Sequence, residues 1–165
     1  MVVSIDSLYS TYFTYIYRFL FSLCHNHHTA EDLVQETFFR AYLYIENYQS
    51  GSIKAWLFTV AYNSYIDHHR KHKRVTIKDE GYFSGLIDRN RAVDETVVIH
   101  EEIEELLREL DTLPEKHKIA VLLCDFNSLS YEEAAEVMKV RKAYVKVLLF
   151  RGRQALRQRR GKEYE

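Results

Sequence analysis

Residues 55–74 read AWLFTVAYNSYIDHHRKHKR, and their order of residue types sets how the rest of the chain is read. Leu57, Val60, Ala61 and Ser64 recur at helical spacing and predict an inward face. The segment opens on the chain's one tryptophan, Trp56, and continues through Phe58, Tyr62 and Tyr65. It closes on Arg70, Lys71, Lys73 and Arg74, with His68, His69 and His72 among them. A helix that begins aromatic and ends basic suits nucleic acid: cations neutralise phosphates, and flat rings stack on unpaired bases. A packed helix with core aromatics and a solvated basic end accounts for the same letters. The stretch alone leaves both readings open.

The 165 residues include one proline and five glycines, so little interrupts helices, and 47% apolar residues are ample for a core. The expected fold class is all-α: two small helical domains joined by a flexible linker. A net charge of −1 hides strong segregation. Residues 94–111 hold eight acids and one basic residue, Arg108, whereas 139–162 hold ten Lys or Arg and no acid. The basic C-terminal end points to a polyanionic partner. No Lys or Arg precedes Arg18, so the positive start of a secretory signal is missing. The apolar run 12–24 is too short to span a bilayer and contains Arg18. With only Cys24 and Cys124, the expectation is a soluble cytoplasmic protein with reduced thiols.

Residues 5–24 predict a first helix, with Leu8, Tyr12, Tyr15, Phe19 and Leu23 on one face. CHNHH at 24–28 fits no common zinc spacing and reads as a polar loop, so no metal and no cofactor are expected. Thr29 and Asp32 match a capping box for a second helix with Leu33, Thr37, Ala41 and Ile45 inward. Its other face carries Glu31, Asp32, Gln35, Glu36 and Arg40, with Val34 and Phe38 beside them. Such a mixture is either a solvated face or a docking face for a partner helix with basic positions.

Periodicity fades after the basic end, which predicts domains at 1–75 and 95–165 with a linker at 76–94. The second domain begins with an acidic helix near 95–110, then a capping box at Thr112 and Glu115. IAVLLC at 119–124 predicts core. Ser130 and Glu133 cap a short helix, and about three residues later a longer one runs from Lys142 to near Arg157. Its inner face is Val145, Leu148, Leu149, Gly152 and Leu156. Lys142, Lys146, Arg151, Arg153 and Arg157 point outward, the pattern of a helix-turn-helix whose second helix recognises DNA.

Five segments, in order, resemble the extracytoplasmic-function sigma factors, the two-domain initiation subunits of bacterial RNA polymerase. They are AEDLVQETFFRAY at 30–42, WLFTVAYNSYIDHHRKHKR at 56–74, LPEKHKIAVLL at 113–123, LSYEEAAEVMKV at 129–140 and VKVLLFRGRQALR at 145–157. The resemblance implies a non-enzymatic factor that binds core RNA polymerase and promoter DNA and is held by an anti-sigma factor, often membrane-bound. It gives the clamp coiled coil of the polymerase's largest subunit to Asp32, Gln35, Glu36, Phe38 and Phe39. It gives the −10 element to Asn47, Tyr48, Gln49, Ser50, Asn63, Asp67, Arg70, Lys71, Lys73 and Arg74. It gives the −35 element to Arg141, Lys142, Lys146, Phe150, Arg151 and Arg153.

Three departures stand out. Tyr62 replaces the family's usual Arg, the turn MKVRK at 138–142 lacks the usual Gly, and Val147-Leu148 replaces Ser-Arg. Tyr62 implies one phosphate or base contact fewer, the missing Gly a different turn geometry, and Val147-Leu148 fewer polar contacts to the −35 element. A stand-alone helix-turn-helix regulator is the alternative, marked by dimeric binding to a palindrome without polymerase. A metal-dependent enzyme built on 25–28 and 68–72 lacks ligand spacing, a nucleophile paired with a base, and a Gly-rich phosphate loop.

Overall fold

The computed structural model describes residues 4–48, 51–76 and 97–163. Among them are seven α-helices and no strands, gathered into two compact units. The linker expected over 76–94 lies outside the described residues, except Thr76 at the end of a helix.

The first unit contains α1 (Ile5–Cys24), α2 (His27–Tyr44) and α3 (Ile53–Thr76), with a 3₁₀ turn at Ile45–Asn47. Each helix packs on the other two. Ile16, Phe19 and Leu20 of α1, Leu33 and Val34 of α2, and Leu57, Phe58 and Ala61 of α3 are buried. Phe19 meets Phe58 edge-on, with centroids 5.2 Å apart. Burying each large apolar side chain contributes roughly 1.5–3 kcal/mol. Two buried hydroxyls find acceptors one turn back: Thr37 donates to the Leu33 carbonyl at 2.6 Å and Ser64 to the Val60 carbonyl at 3.0 Å.

The start of α2 corrects one expectation. The cap is Asn26, whose side chain accepts from the Thr29 N–H at 2.9 Å, so Thr29 lies inside the helix and forms no capping box with Asp32. Residues 24–28 are therefore less loop than expected. His25 closes α1 in the left-handed conformation, and His27 already begins α2.

The second unit contains α4 (Val97–Asp111), α5 (Glu115–Val121) with a π turn at Leu122–Phe126, α6 (Tyr131–Met138) and α7 (Lys142–Glu163). Ile119–Leu123 are buried as expected, and Lys118 is buried with its ammonium 2.6 Å from Asp111. Thr112 does not cap α5. Its hydroxyl donates back to the Glu109 carbonyl at 2.6 Å, and Pro114 occupies the cap position without a side-chain bond. The Ser130–Glu133 box is present in both directions, at 3.1 and 2.9 Å. Gly152 lets α7 approach α5, since a Cβ there would lie 3.0 Å from Val121 Cγ2.

Candidate docking surface and nucleic-acid interface

Along α2, Asp32, Gln35, Glu36 and Phe39 are exposed at spacings of three and four, which puts them on one stripe. Phe39 is 59% exposed. Phe38, expected beside it, is instead core: it is 5% exposed and packs edge-on against Tyr9 of α1 with centroids 4.9 Å apart. Tyr42 and Leu43 continue the exposed stripe one turn on. They are missing from the expected set, although their i+3 and i+4 spacing from Phe39 carries the signal. Acids at one end and large apolar groups at the other suit a partner helix with basic and apolar positions.

Before α3, Tyr48 donates its hydroxyl to the Gly51 carbonyl and lays its ring against Trp56 at 6.0 Å. Gly51 has φ +104°, a backbone state that glycine adopts without strain. Ser52 Oγ accepts from the Ala55 N–H at 3.1 Å at the start of the helix. Gln49 and Ser50 lie outside the described residues, as do the side chains of Asn47, Lys73 and Arg74. Further along α3, Arg70 and Lys71 are exposed, and Asn63 is half-buried. Asp67 is held by Arg40 of α2 at 3.0 Å, so it orients a neighbour as well as facing outward.

His68 and His72 stack with centroids 3.9 Å apart. Burial lowers the His68 pKa, and the nearby charges of His72, His69 and Lys71 add to this, while Asp32 opposes them. Among the described residues, no group of three or more His, Cys, Asp or Glu is placed to hold a metal ion. Burial pushes the Cys124 thiol up to about 11, which makes it a poor nucleophile near neutrality.

In the second unit, α6, the turn Lys139–Arg141 and α7 form the helix-turn-helix. Lys139 takes the left-handed turn at φ 57° where a glycine is usual, and the Val140 N–H closes on the Ala135 carbonyl at 3.1 Å. Arg141, Lys142, Lys146, Phe150 and Arg151 are exposed. Lys142 pairs with Glu132, and Lys146 lies over the Tyr131 ring at 5.8 Å. Arg153 differs from the expected outward contact. It makes a two-pronged ion pair with Asp125 of the π turn, at 3.0 and 2.6 Å, and the hydrogen bond to Asp125 raises its pKa. Arg153 thus fastens α7 to the preceding turn. Leu148 is buried, so the departure at 147–148 leaves Val147 alone facing outward.

Sigma-70 region 2 matches residues 8–75, and sigma-70 region 4 matches residues 103–156. The ECF RNA polymerase sigma factor SigM of Bacillus subtilis (strain 168) is 40% identical over 157 residues, 94% of each chain. The chain belongs to the ECF sigma factors.

SigE of Mycolicibacterium smegmatis is 35% identical across 92% of this sigma factor and 60% of its own length. Among solved structures, the sigma factor RpoE in complex with the anti-sigma factor NepR from Bartonella quintana superposes with a TM-score of 0.74. It is 25% identical, covering 93% of this chain and 94% of that one. CnrH, solved with the cytosolic domain of CnrY, shares the fold at a TM-score of 0.68 and 19% identity. Among the described residues, no helix of this sigma factor is long and apolar enough to cross a membrane.

Proposed function

We propose that this ECF sigma factor is a non-enzymatic initiation subunit that works in the cytoplasm on core RNA polymerase. Its first unit docks on the clamp coiled coil of the largest subunit and engages the −10 element. Its second unit engages the −35 element. The observation that carries the docking assignment is the exposed stripe Asp32, Gln35, Glu36 and Phe39 on α2, because an acidic and apolar stripe suits a basic, apolar partner helix. The −10 assignment is supported by Asn63, Arg70 and Lys71 on α3 and by Tyr48 against Trp56; it extends by resemblance to Asn47, Gln49, Ser50, Lys73 and Arg74. Asp67 serves it by receiving Arg40. The −35 assignment rests on Arg141, Lys142, Lys146, Phe150 and Arg151, with Arg153 in support.

Energetics explain why the factor needs the polymerase. Opening about 12 base steps at roughly 1.4 kcal/mol each costs on the order of 17 kcal/mol. Stacking a flipped base on an aromatic ring returns roughly 1–3 kcal/mol. One helix and one loop trap a base or two, and polymerase contacts must supply the remainder. An anti-sigma factor as a further partner is supported by the similar RpoE, solved with NepR.

Permanganate reactivity of unpaired thymines on the organism's own promoter fragments tests this reading. Reactive thymines that need both this chain and core polymerase support it. Tight binding to a palindromic duplex as a dimer, indifferent to polymerase, supports the stand-alone regulator instead.

A further inference from the structure

The outward face of α7 is not uniformly basic. Ala143, Val147 and Phe150 are exposed, and spacings of four and three place them in one row along the helix. Val145, Leu148, Leu149 and Gly152 are buried on the opposite side, so the row runs down the middle of the accessible face. Val147 is 42% and Phe150 63% exposed. Lys142 and Lys146 border the row on one side and Arg151 on the other. The border is anchored, because Lys142 pairs with Glu132 and Lys146 lies over the Tyr131 ring.

Two properties must be satisfied by one occupant. Cations on both borders call for a polyanion. The apolar row between them calls for a nonpolar group at the centre of the contact. In the major groove only thymine offers one, its C5-methyl. From Ala143 to Phe150 the row covers eight residues, and its seven rises of 1.5 Å make about 10 Å, or three base-pair steps. A polar residue at 147 would instead favour hydrogen-bonding base edges.

We propose that Ala143, Val147 and Phe150 read thymine methyl groups in the major groove of the −35 element, with Val147 as the central specificity determinant. The inference rests on the assignment of α7 to the −35 element and adds what that helix reads. The shift from a polar to an apolar residue at 147 changes the kind of readout, from hydrogen bonding to methyl contact.

The test uses holoenzyme assembled from the full chain and core polymerase. The probes are promoter duplexes in which each −35 thymine is replaced, one at a time, by deoxyuridine, which lacks only the methyl. Wild type is expected to bind about fourfold more weakly for each contacted methyl removed, at one to three positions. Val147→Ser abolishes the thymine preference at one of those positions. Val147→Thr, which keeps a methyl, retains part of it. Both substitutions are at an exposed position, so folding is preserved. Equal binding of thymine and deoxyuridine duplexes at every position overturns the inference, as does full discrimination by Val147→Ser. If that discrimination is absent but Val147→Ser weakens capture of an anti-sigma factor, the row belongs to a protein partner and the inference fails. A chain that gives no polymerase-dependent promoter complex overturns the initiation reading, and this inference with it.

Discussion

Arg40 of α2 holds the Asp67 carboxylate of α3 at 3.0 Å, and the same guanidinium donates to Glu36 at 2.8 Å. One planar fork therefore ties a residue of the proposed docking stripe to the helix that carries the basic −10 candidates. Burial works against the Arg40 charge, but the hydrogen bonds and charges of Glu36 and Asp67 outweigh it and raise the pKa. The side chains remain 30% and 47% exposed, so water weakens the pair.

A double-mutant cycle between Arg40→Ala and Asp67→Ala should give a small coupling, about 0.5 kcal/mol, as for partly exposed ion pairs. Urea unfolding followed by circular dichroism measures it. A coupling near zero would remove Arg40 as a strut between the two helices.

The His68 pKa is lowered by burial and by neighbouring cations, so the unfolded chain takes up this proton more readily than the folded one. The neutral ring's contribution is fully present above the ordinary value of 6.5 and is lost as pH falls through the folded pKa. Stability of the first unit should therefore decline on acidification below that value. His68→Gln should flatten the decline. An unchanged slope would show that other groups govern it.

Lys139 carries the turn at φ 57°, where a side chain costs roughly 1–2 kcal/mol. Lys139→Gly removes that cost but gains unfolded-state entropy, leaving a net stabilisation of about 0.5 kcal/mol. Lys139→Val should destabilise by about 1 kcal/mol, because a branched Cβ suits this conformation poorly. Urea midpoints of both variants decide the matter, and a lower midpoint for Lys139→Gly would contradict the relief of strain.

Gly152 lies where α7 presses on α5, and Val121, which a new Cβ would meet at 3.0 Å, is buried with little room to move. Gly152→Val should destabilise the second unit by about 2 kcal/mol through overpacking. Thermal unfolding reads this as a lower midpoint. An unchanged midpoint would mean that the two helices part easily.

What was legible in the sequence was local. The helices follow from apolar spacing, and the Ser130–Glu133 box from its four-residue pattern. The same pattern misleads at Thr29, because Asn26 three residues earlier takes the cap. It misleads again at Thr112, whose hydroxyl is engaged by the Glu109 carbonyl. Choosing between the adjacent Phe38 and Phe39 needs a neighbour from another helix, and Tyr9 settles that Phe38 is inside. The Arg153–Asp125 pair joins residues 28 apart in the chain, beyond the reach of any local pattern. A basic residue at an outward spacing is legible; whether it meets DNA or a nearby carboxylate depends on the tertiary fold.

In the function proposed above, α2 docks this sigma factor on core polymerase so that promoters are opened. Run-off transcription with purified core enzyme tests it most directly, comparing wild type with the Asp32→Ala/Glu36→Ala double variant on the organism's promoter fragments. Specific transcripts are expected with wild type, reduced at least tenfold in the variant if each charge contact contributes about 1 kcal/mol or more. Equal transcription from both proteins would rule out this surface as the docking site, and tight promoter binding by a chain that ignores core polymerase would rule out an initiation subunit altogether.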